Sequence, residues 1–501
     1  MRAIQPQPSG KPLSVNSHFN TSILSRHLRQ LAMACLLLPL ATPALAAVSS
    51  ALPAKVQKAM TANKLGRDSL GVMLVPLDGT ATITAINADQ SMNPASTMKL
   101  VTTWAALELL GPTYQWTTEF YSDGVLRDGV LNGNLYLKGG GDPKLNMEKL
   151  WLLMRDLRAN GVRQITGDLV LDRSYFIQPD QRHFNDDGGD SNKPYLVGPD
   201  SLMVNLKAVR VITRAENNNI EVAIEPPIAN VRIDNRVKLL KSAKCPGWPD
   251  VRYSPVSEYD GITLIVSGKL NAGCSSQSYI SLFDHPGYAA GTVRAIWQEL
   301  GGKILGQNRQ GEVPKNATLL ARAYSPDLVE VIRDINKYSN NTMAQQLFLS
   351  IGAKFRTRAD RDDAQAAQRV IKQLLSRKGI NPDHLVMENG SGLSRNERIS
   401  AREMSQILQA AWNGPYAAEF AASMPLVGMD GTMRKRLRDT ALRGQAHIKT
   451  GTLNNVRAIA GYTRDRNGRN WAVVAMLNDP RPWGASAILD QFLIDLWNQP
   501  K

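Results

Sequence analysis

The sequence predicts an α+β protein, on three observations. Alternating apolar stretches lie near both ends of the chain, helical periodicities lie between and after them, and a long run of short strand-like segments separates the first helix from the next. Residues 71–86 alternate around Asp78-Gly79, the pattern of a hairpin. Asn93-Pro94 then offers a cap and a first helical residue with its φ already set. The apolar run from Met98 to Leu110 continues that helix until Gly111-Pro112 stops it. Ser96 therefore falls in the first turn of a helix emerging from a sheet, with Lys99 about 4.5 Å further up the axis on nearly the same face.

Beyond residue 115 the texture changes to short strands punctuated by Gly and Asn: Trp116 to Tyr121, Val130 to Lys138 and Ile165 to Asp172, with one helix at Met147 to Ala159. Residues 177–195 form a polar loop rich in Asp, Gly and Asn. Strands resume at Ile220 to Ile224, Val231 to Leu240 and Gly261 to Leu270, so the whole stretch reads as one or two inserted domains. From about Gly287 helices return, at Arg294 to Gly301 and then Pro326 to Ile351, with Pro326 suited to a first helical position. Ser400 and Glu403 make a capping box ahead of a helix ending near Trp412. Arg457 to Arg464 and Trp471 to Leu477 alternate about Asn467-Gly468 as a second hairpin, and an amphipathic helix follows at Ala485 to Trp497. The pattern suggests a core sheet closed by the C-terminal strands.

Composition narrows the function classes. At 501 residues the chain has room for two or three domains, and its hydrophobic fraction of 43% is that of a globular protein. A mean hydropathy of -0.25 excludes a polytopic membrane protein. Residues 1–46 read as an export signal: Arg26 and Arg29 precede the apolar run Leu31 to Leu40, and Ala44-Leu45-Ala46 suits cleavage. Losing that segment lowers the formal charge from +15 to +11. A basic exported protein is compatible with peripheral contact with a membrane or an anionic wall polymer. Its charge is scattered, without the basic-aromatic ladder of a nucleic-acid binder. Cys245 and Cys274, 29 positions apart, are candidates for a disulfide in an oxidising compartment. His183, His285, His384 and His447 form no metal-ligand spacing, and Gly139-Gly140-Gly141-Asp142 lacks the Gly-Lys-Ser/Thr ending of a phosphate loop. No metal or organic cofactor is implied.

The chemistry resides in three strings. Ser96-Thr97-Met98-Lys99 and Lys449-Thr450-Gly451-Thr452 stand about 350 residues apart, with Ser339-Asn340-Asn341 between them. Together they supply a serine acyltransferase that needs no histidine. A serine hydroxyl needs a base, and Lys99 serves if burial or a second cation such as Lys449 lowers its pKa. Ser339 can relay a proton, and Asn341 offers a donor and an acceptor to a substrate amide. An edge strand carrying Lys449, Thr450 and Thr452 would seat a terminal carboxylate, and Gly451 would let substrate backbone approach. The amides of Ser96 and Thr452 would form the oxyanion hole. His447 shares the strand face of Lys449, and the basic run Arg434-Lys435-Arg436 with Arg438 is a candidate wall contact.

These strings resemble the low-molecular-mass penicillin-binding D-alanyl-D-alanine carboxypeptidases of the DacB type, peptidase family S13. Asn93 to Leu100 resembles the family's nucleophile box, Asn336 to Asn341 its second motif (where Asp often stands in place of Asn340), and His447 to Thr452 its third. Glu388 to Arg395, Asp430-Gly431-Thr432, Asp168, Asp172 to Phe176 and Gly139 to Pro143 resemble further family segments. The resemblance, over about 55–500, implies a penicillin-recognising, transpeptidase- and β-lactamase-like core interrupted by a β-rich domain with a smaller one nested inside it. The expected division is 1–46 signal, 47–115 and 290–501 catalytic domain, 116–200 and 255–289 inserted domain, and 201–254 nested domain. It also implies removal of the terminal D-alanine from peptidoglycan stem peptides, endopeptidase cleavage of D-Ala–meso-diaminopimelate cross-links, and covalent inhibition by β-lactams. In some members an acidic residue near a Trp-containing loop receives the D-amino-acid end of the substrate. Here Phe184 to Asp190 holds no Trp, so the balance of the two activities stays open. Two rivals remain: a β-lactamase or esterase with the same serine-lysine pair, and a murein-binding scaffold that keeps the fold without turnover.

Overall fold

The computed structural model describes residues 47–79, 81–179, 194–216, 218–242, 244–259 and 261–499. The export-signal reading of 1–46, His183 and the Phe184–Asp190 stretch lie outside the described residues.

Segments from the two ends of the described chain form a single six-stranded sheet, in the order Val48–Ser49, Ile83–Ile86, Leu70–Pro76, Asn470–Asn478, Val456–Arg464, Ala446–Leu453. Its centre is the antiparallel pairing of Leu70–Pro76 with Asn470–Asn478, in register Leu70↔Leu477 to Pro76↔Trp471. Both faces are covered. Leu70, Val72, Leu74, Trp471, Val473, Ala475 and Leu477 pack under the helices Ala54–Ala62 and Ala485–Trp497. Met73, Val75, Ala472, Val474 and Met476 pack against the helices Met98–Leu110, Leu328–Tyr338, Asn341–Phe355, Asp363–Arg377, Ala401–Trp412 and Ala417–Ser423. Two covered faces explain why both central strands are apolar nearly throughout, rather than in strict alternation.

The capping box at Ser400 and Glu403 is present in both directions, with Glu403 N donating to Ser400 Oγ (3.1 Å) and Ser400 N to the Glu403 carboxylate (2.9 Å). Three local expectations change. The α-helix of the first motif starts at Met98, so Ser96 lies in a preceding 3₁₀ turn, Ala95–Thr97. The expected helix from Pro326 to Ile351 is two helices, because Ser339 adopts a left-handed backbone (φ 57°, ψ 40°) and Asn340 caps a new helix by accepting from Met343 N. The helix expected at Arg294 begins at His285, capped by Asp284.

Between the terminal segments the described residues form four smaller sheets. One has the order Asn308–Gln310, Leu169–Asp172, Leu135–Gly139, Thr117–Ser122, Thr318–Tyr324. Thr318–Tyr324 pairs antiparallel with Thr117–Ser122, so strands on both sides of residues 289/290 share one sheet. Ala208–Glu216 pairs with Ser275–Ser281, and Val231–Leu240 and Asp250–Ser257 both pair with Ile262–Asn271, so strands of 201–254 share sheets with strands of 255–289. Cys245 and Cys274 are joined in a disulfide with Cα atoms 5.6 Å apart, fastening the 241–249 loop to the turn before Ser275–Ser281.

Candidate active site

Three elements converge on Ser96. The first is its own turn, in which buried Ala95 takes φ +45°, an unfavourable value for a non-glycine residue. Asn93 fixes that turn from three sides: Oδ1 accepts from Ala95 N (2.8 Å), Nδ2 donates to the Ser394 carbonyl (2.9 Å), and its main chain exchanges two bonds with the Asn478 side chain at the end of a central strand. The second is the break between the helices Leu328–Tyr338 and Asn341–Phe355, which presents Ser339 and Asn341. The third is Ala446–Leu453 at the edge of the main sheet. Ile448 N bonds outward to the Pro425 carbonyl, so by the two-residue period of a strand the amides of Thr450 and Thr452 also face the open edge.

The side chains form two linked pairs. Lys99 Nζ lies 3.1 Å from Ser96 Oγ, donates to Asn341 Oδ1 at 2.7 Å and makes a short bond to the Ser391 carbonyl. Lys449 Nζ donates to Ser339 Oγ at 2.8 Å and to the Thr450 carbonyl at 2.7 Å. Both lysines are fully buried. Burial drives the Lys99 pKa down to about 7, against a partial opposing pull from Glu397. Burial and then the positive charge of Lys99 hold Lys449 well below the ordinary lysine range. A neutral Lys99 at physiological pH can take a proton from the hydroxyl beside it. All the residues named from the three strings are therefore brought together, and Thr450 Oγ1 further bonds Thr432 Oγ1 at 2.8 Å.

A Cβ at Gly451 would stand 2.6 Å from the Pro94 carbonyl oxygen and 3.1 Å from Ser96 N. Its bareness lets the edge strand press against the nucleophile turn. Gly392 does the same from the opposite loop: at φ +77° a Cβ would overlap the Ala95 carbonyl and come within 2.7 Å of Ser96 N. Gly392→Ala is expected to lower stability by about 2 kcal/mol, from left-handed strain plus overpacking, and to slow reaction at Ser96. Thermal unfolding and β-lactam labelling check the two effects separately.

Sequence reasoning missed the support for this site. Glu397, a lone acid in a loop, has no motif to mark it, yet its carboxylate gathers four backbone amides of the 388–392 loop. Lys337 pairs with Asp430 at 2.6 Å, and Asp430 Oδ1 accepts from Leu426 N, which anchors the turn that carries Thr432. His447 sits near this pair. Burial, then the Lys337 ammonium, lowers its imidazole pKa, and among the described residues its Nδ1 has no hydrogen-bond partner. Among the described residues no cluster of His, Cys, Asp or Glu could hold a metal ion, and no helix is long and apolar enough to cross a membrane.

Known proteins resemble the chain over most of its length. The chain is 29% identical over 418 residues to the D-alanyl-D-alanine carboxypeptidase of Actinomadura sp. (strain R39), covering 79% of this chain and 76% of the relative. It is 26% identical over 436 residues to the D-alanyl-D-alanine carboxypeptidase DacB of Haemophilus influenzae, covering 82% and 87%. The crystal structure of penicillin binding protein 4 (dacB) from Haemophilus influenzae superposes with a TM-score of 0.71 at 22% identity, over 89% of this chain and 100% of that one. At that identity the likeness speaks for the fold, an α+β arrangement of several sheets of the penicillin-binding protein type. The model of the D-Ala-D-Ala carboxypeptidase 3 (S13) family matches residues 52–493, and the chain belongs to that family.

Proposed function

We propose that this protein is an exported serine D-Ala-D-Ala carboxypeptidase that acts on peptidoglycan in the periplasm through an acyl-Ser96 intermediate. The observation that carries the reading is the buried Lys99 Nζ, 3.1 Å from Ser96 Oγ and bonded to Asn341. Lys99 removes the proton as Ser96 Oγ attacks the carbonyl of the penultimate D-Ala, and the amides of Ser96 and Thr452 hold the oxyanion. The C–N bond then breaks. Ser339, bonded to Lys449, relays to the departing amine the proton that Lys99 took from Ser96, which leaves Lys99 neutral again, while Asn341 aligns the backbone on the acyl side. Lys449, Thr450 and Thr452 receive the terminal carboxylate, and Gly451 holds their strand against the nucleophile turn. Neutral Lys99 then takes a proton from the water that attacks the ester and returns it to Ser96 Oγ as the ester bond breaks. No cofactor enters any step.

The same acyl group would be cut from a D-Ala–meso-diaminopimelate cross-link, whose leaving amine also stands beside a carboxylate on a D-centre. Endopeptidase action therefore belongs to the proposal. A β-lactam presents a strained amide with a neighbouring carboxylate to the same groups and would leave a slowly hydrolysed ester on Ser96. We divide the described chain into a catalytic core of about 47–116 and 325–499 and an insertion between them, with residues 208–281 as its nested part.

Pentapeptide-containing, cross-linked murein fragments test the reading when products are followed by mass. Free D-alanine supports the carboxypeptidase, and conversion of dimeric to monomeric fragments adds the endopeptidase. Fragment binding without products moves the scaffold reading to the front, and rapid β-lactam turnover without D-alanine release moves the β-lactamase forward. Thr432→Val removes the hydroxyl bonded to Thr450. It is expected to raise KM for a D-Ala-D-Ala peptide about fivefold, the worth of one hydrogen bond, with kcat within about twofold of the unmutated protein.

A further inference from the structure

Glu397 is fully buried, and main-chain amides rather than cationic side chains hold its carboxylate. Its Oε1 accepts from the main-chain amides of Glu388 (3.0 Å), Asn389 (2.9 Å) and Gly390 (2.8 Å), and its Oε2 accepts from Gly392 (2.8 Å). Those four bonds curl the 388–392 loop so that its carbonyls point at the nucleophile helix. Ser391 O accepts from Lys99 Nζ, and Gly390 O accepts from Thr102 Oγ1 at 2.6 Å. Removing a carboxylate from water is costly, and such a group is ordinarily paired or protonated. Here each of these bonds to its two oxygens comes from a donor. A protonated acid would leave its own O–H without an acceptor in a dry site. The geometry therefore fits the ionised form, despite a burial that pushes the carboxyl pKa upward.

We propose that Glu397 is an ionised positioning residue for acylation: its carboxylate shapes the 388–392 loop around the Lys99 ammonium and supplies the negative charge that lets Lys99 hold a proton at neutral pH. The inference rests on the reading of Lys99 as the base. Burial disfavours the protonated form of Lys99 and the Glu397 charge favours it, while the Lys99 charge in turn lowers the pKa of Lys449 on the edge strand. The contacts to Lys99 from its own turn and from the Asn341–Phe355 helix, Ser96 and Asn341, are neutral. Around Glu397, the Glu388 carboxylate is occupied by Ser394 and Asn396, and the Arg398 guanidinium by the carbonyls of Arg395 and Glu397. Arg395 bonds Asn455. Without Glu397 the buried Lys99 ammonium would lose the opposing charge that acts on it, and Lys99 would stay neutral to a lower pH.

The test is the pH dependence of β-lactam acylation of the full protein. Glu397→Gln is expected to move the midpoint of the acid limb down by about one pH unit, the smaller end of what one nearby charge does, and Glu397→Asp to return it most of the way. A uniform loss of rate at every pH with the midpoint unmoved would mean a structural role only and would overturn the proposal. If neither variant folds, carboxyl-¹³C glutamate in the unmutated protein decides. All glutamate carboxyl signals at the ionised position at pH 7 support the proposal, and a signal at the protonated position contradicts it. Failure of the serine-lysine reading looks different: the unmutated protein would take up no β-lactam at any pH, whatever the carboxyl spectrum shows.

Discussion

Ser96→Ala is expected to abolish both D-alanine release and covalent attachment of penicillin, with unfolding temperature and fragment binding retained. Among the described residues, the side-chain hydroxyl bonded to Lys99 is that of Ser96. The serine of the second motif, Ser339, is bonded to Lys449 instead. Removing a serine nucleophile of this kind costs on the order of 10⁶ in kcat. Fold retention is expected because Ser96 contributes no core contact: the turn is held by Asn93 and by Thr97, whose hydroxyl donates to the Pro94 carbonyl at 2.8 Å. Turnover by the Ala variant, followed by D-alanine assay, would place the chemistry elsewhere.

Lys99→Met is expected to slow acylation by about 10²- to 10⁴-fold, the range associated with a positioned general base. The pH profile of the unmutated protein gives an independent check, and its sign follows from the base. Lys99 must be neutral to accept the Ser96 proton, so the rate rises with pH to a plateau above the Lys99 pKa of about 7. Below that value it falls about tenfold per unit. The Met variant should lose this limb along with the rate. Methionine also removes a buried cation whose bonds reach Asn341 and Ser391, so stopped-flow acylation needs to be read beside a thermal melt.

What the sequence disclosed divides along local and non-local lines. The helices Met147–Ala159 and Ala485–Trp497 stand where their periodicity puts them, and the strands beside Asn467-Gly468 pair as that dipeptide indicates. Each rests on signals within a few residues. The convergence of Ser96, Lys99, Ser339, Asn341 and Lys449 was legible because acyl transfer demands those groups in one place. The break at Ser339 was not: Tyr338-Ser339-Asn340 contains neither Gly nor Pro, and packing of the two flanking helices imposes the left-handed residue. The Asp363–Arg377 helix also escaped notice. Its buried face, Ala366, Ala367, Val370, Ile371, Leu374 and Leu375, follows a helical period behind the cap Asp362, so the signal for it is present in the sequence. The packing of Gly451 against the nucleophile turn and the contacts of Glu397 were missed for a shared reason. One is shaped by a turn 355 positions earlier in the chain, and the other acts through the backbone of a loop. Neither relation leaves a spacing to find.

The most direct test is to react the protein with benzylpenicillin, quench in acid, and locate the added mass by tandem mass spectrometry. The account predicts one intact penicilloyl group per chain, on Ser96, that persists for minutes and prevents D-alanine release. An adduct on another residue, or no adduct while D-alanine is still released, would contradict it.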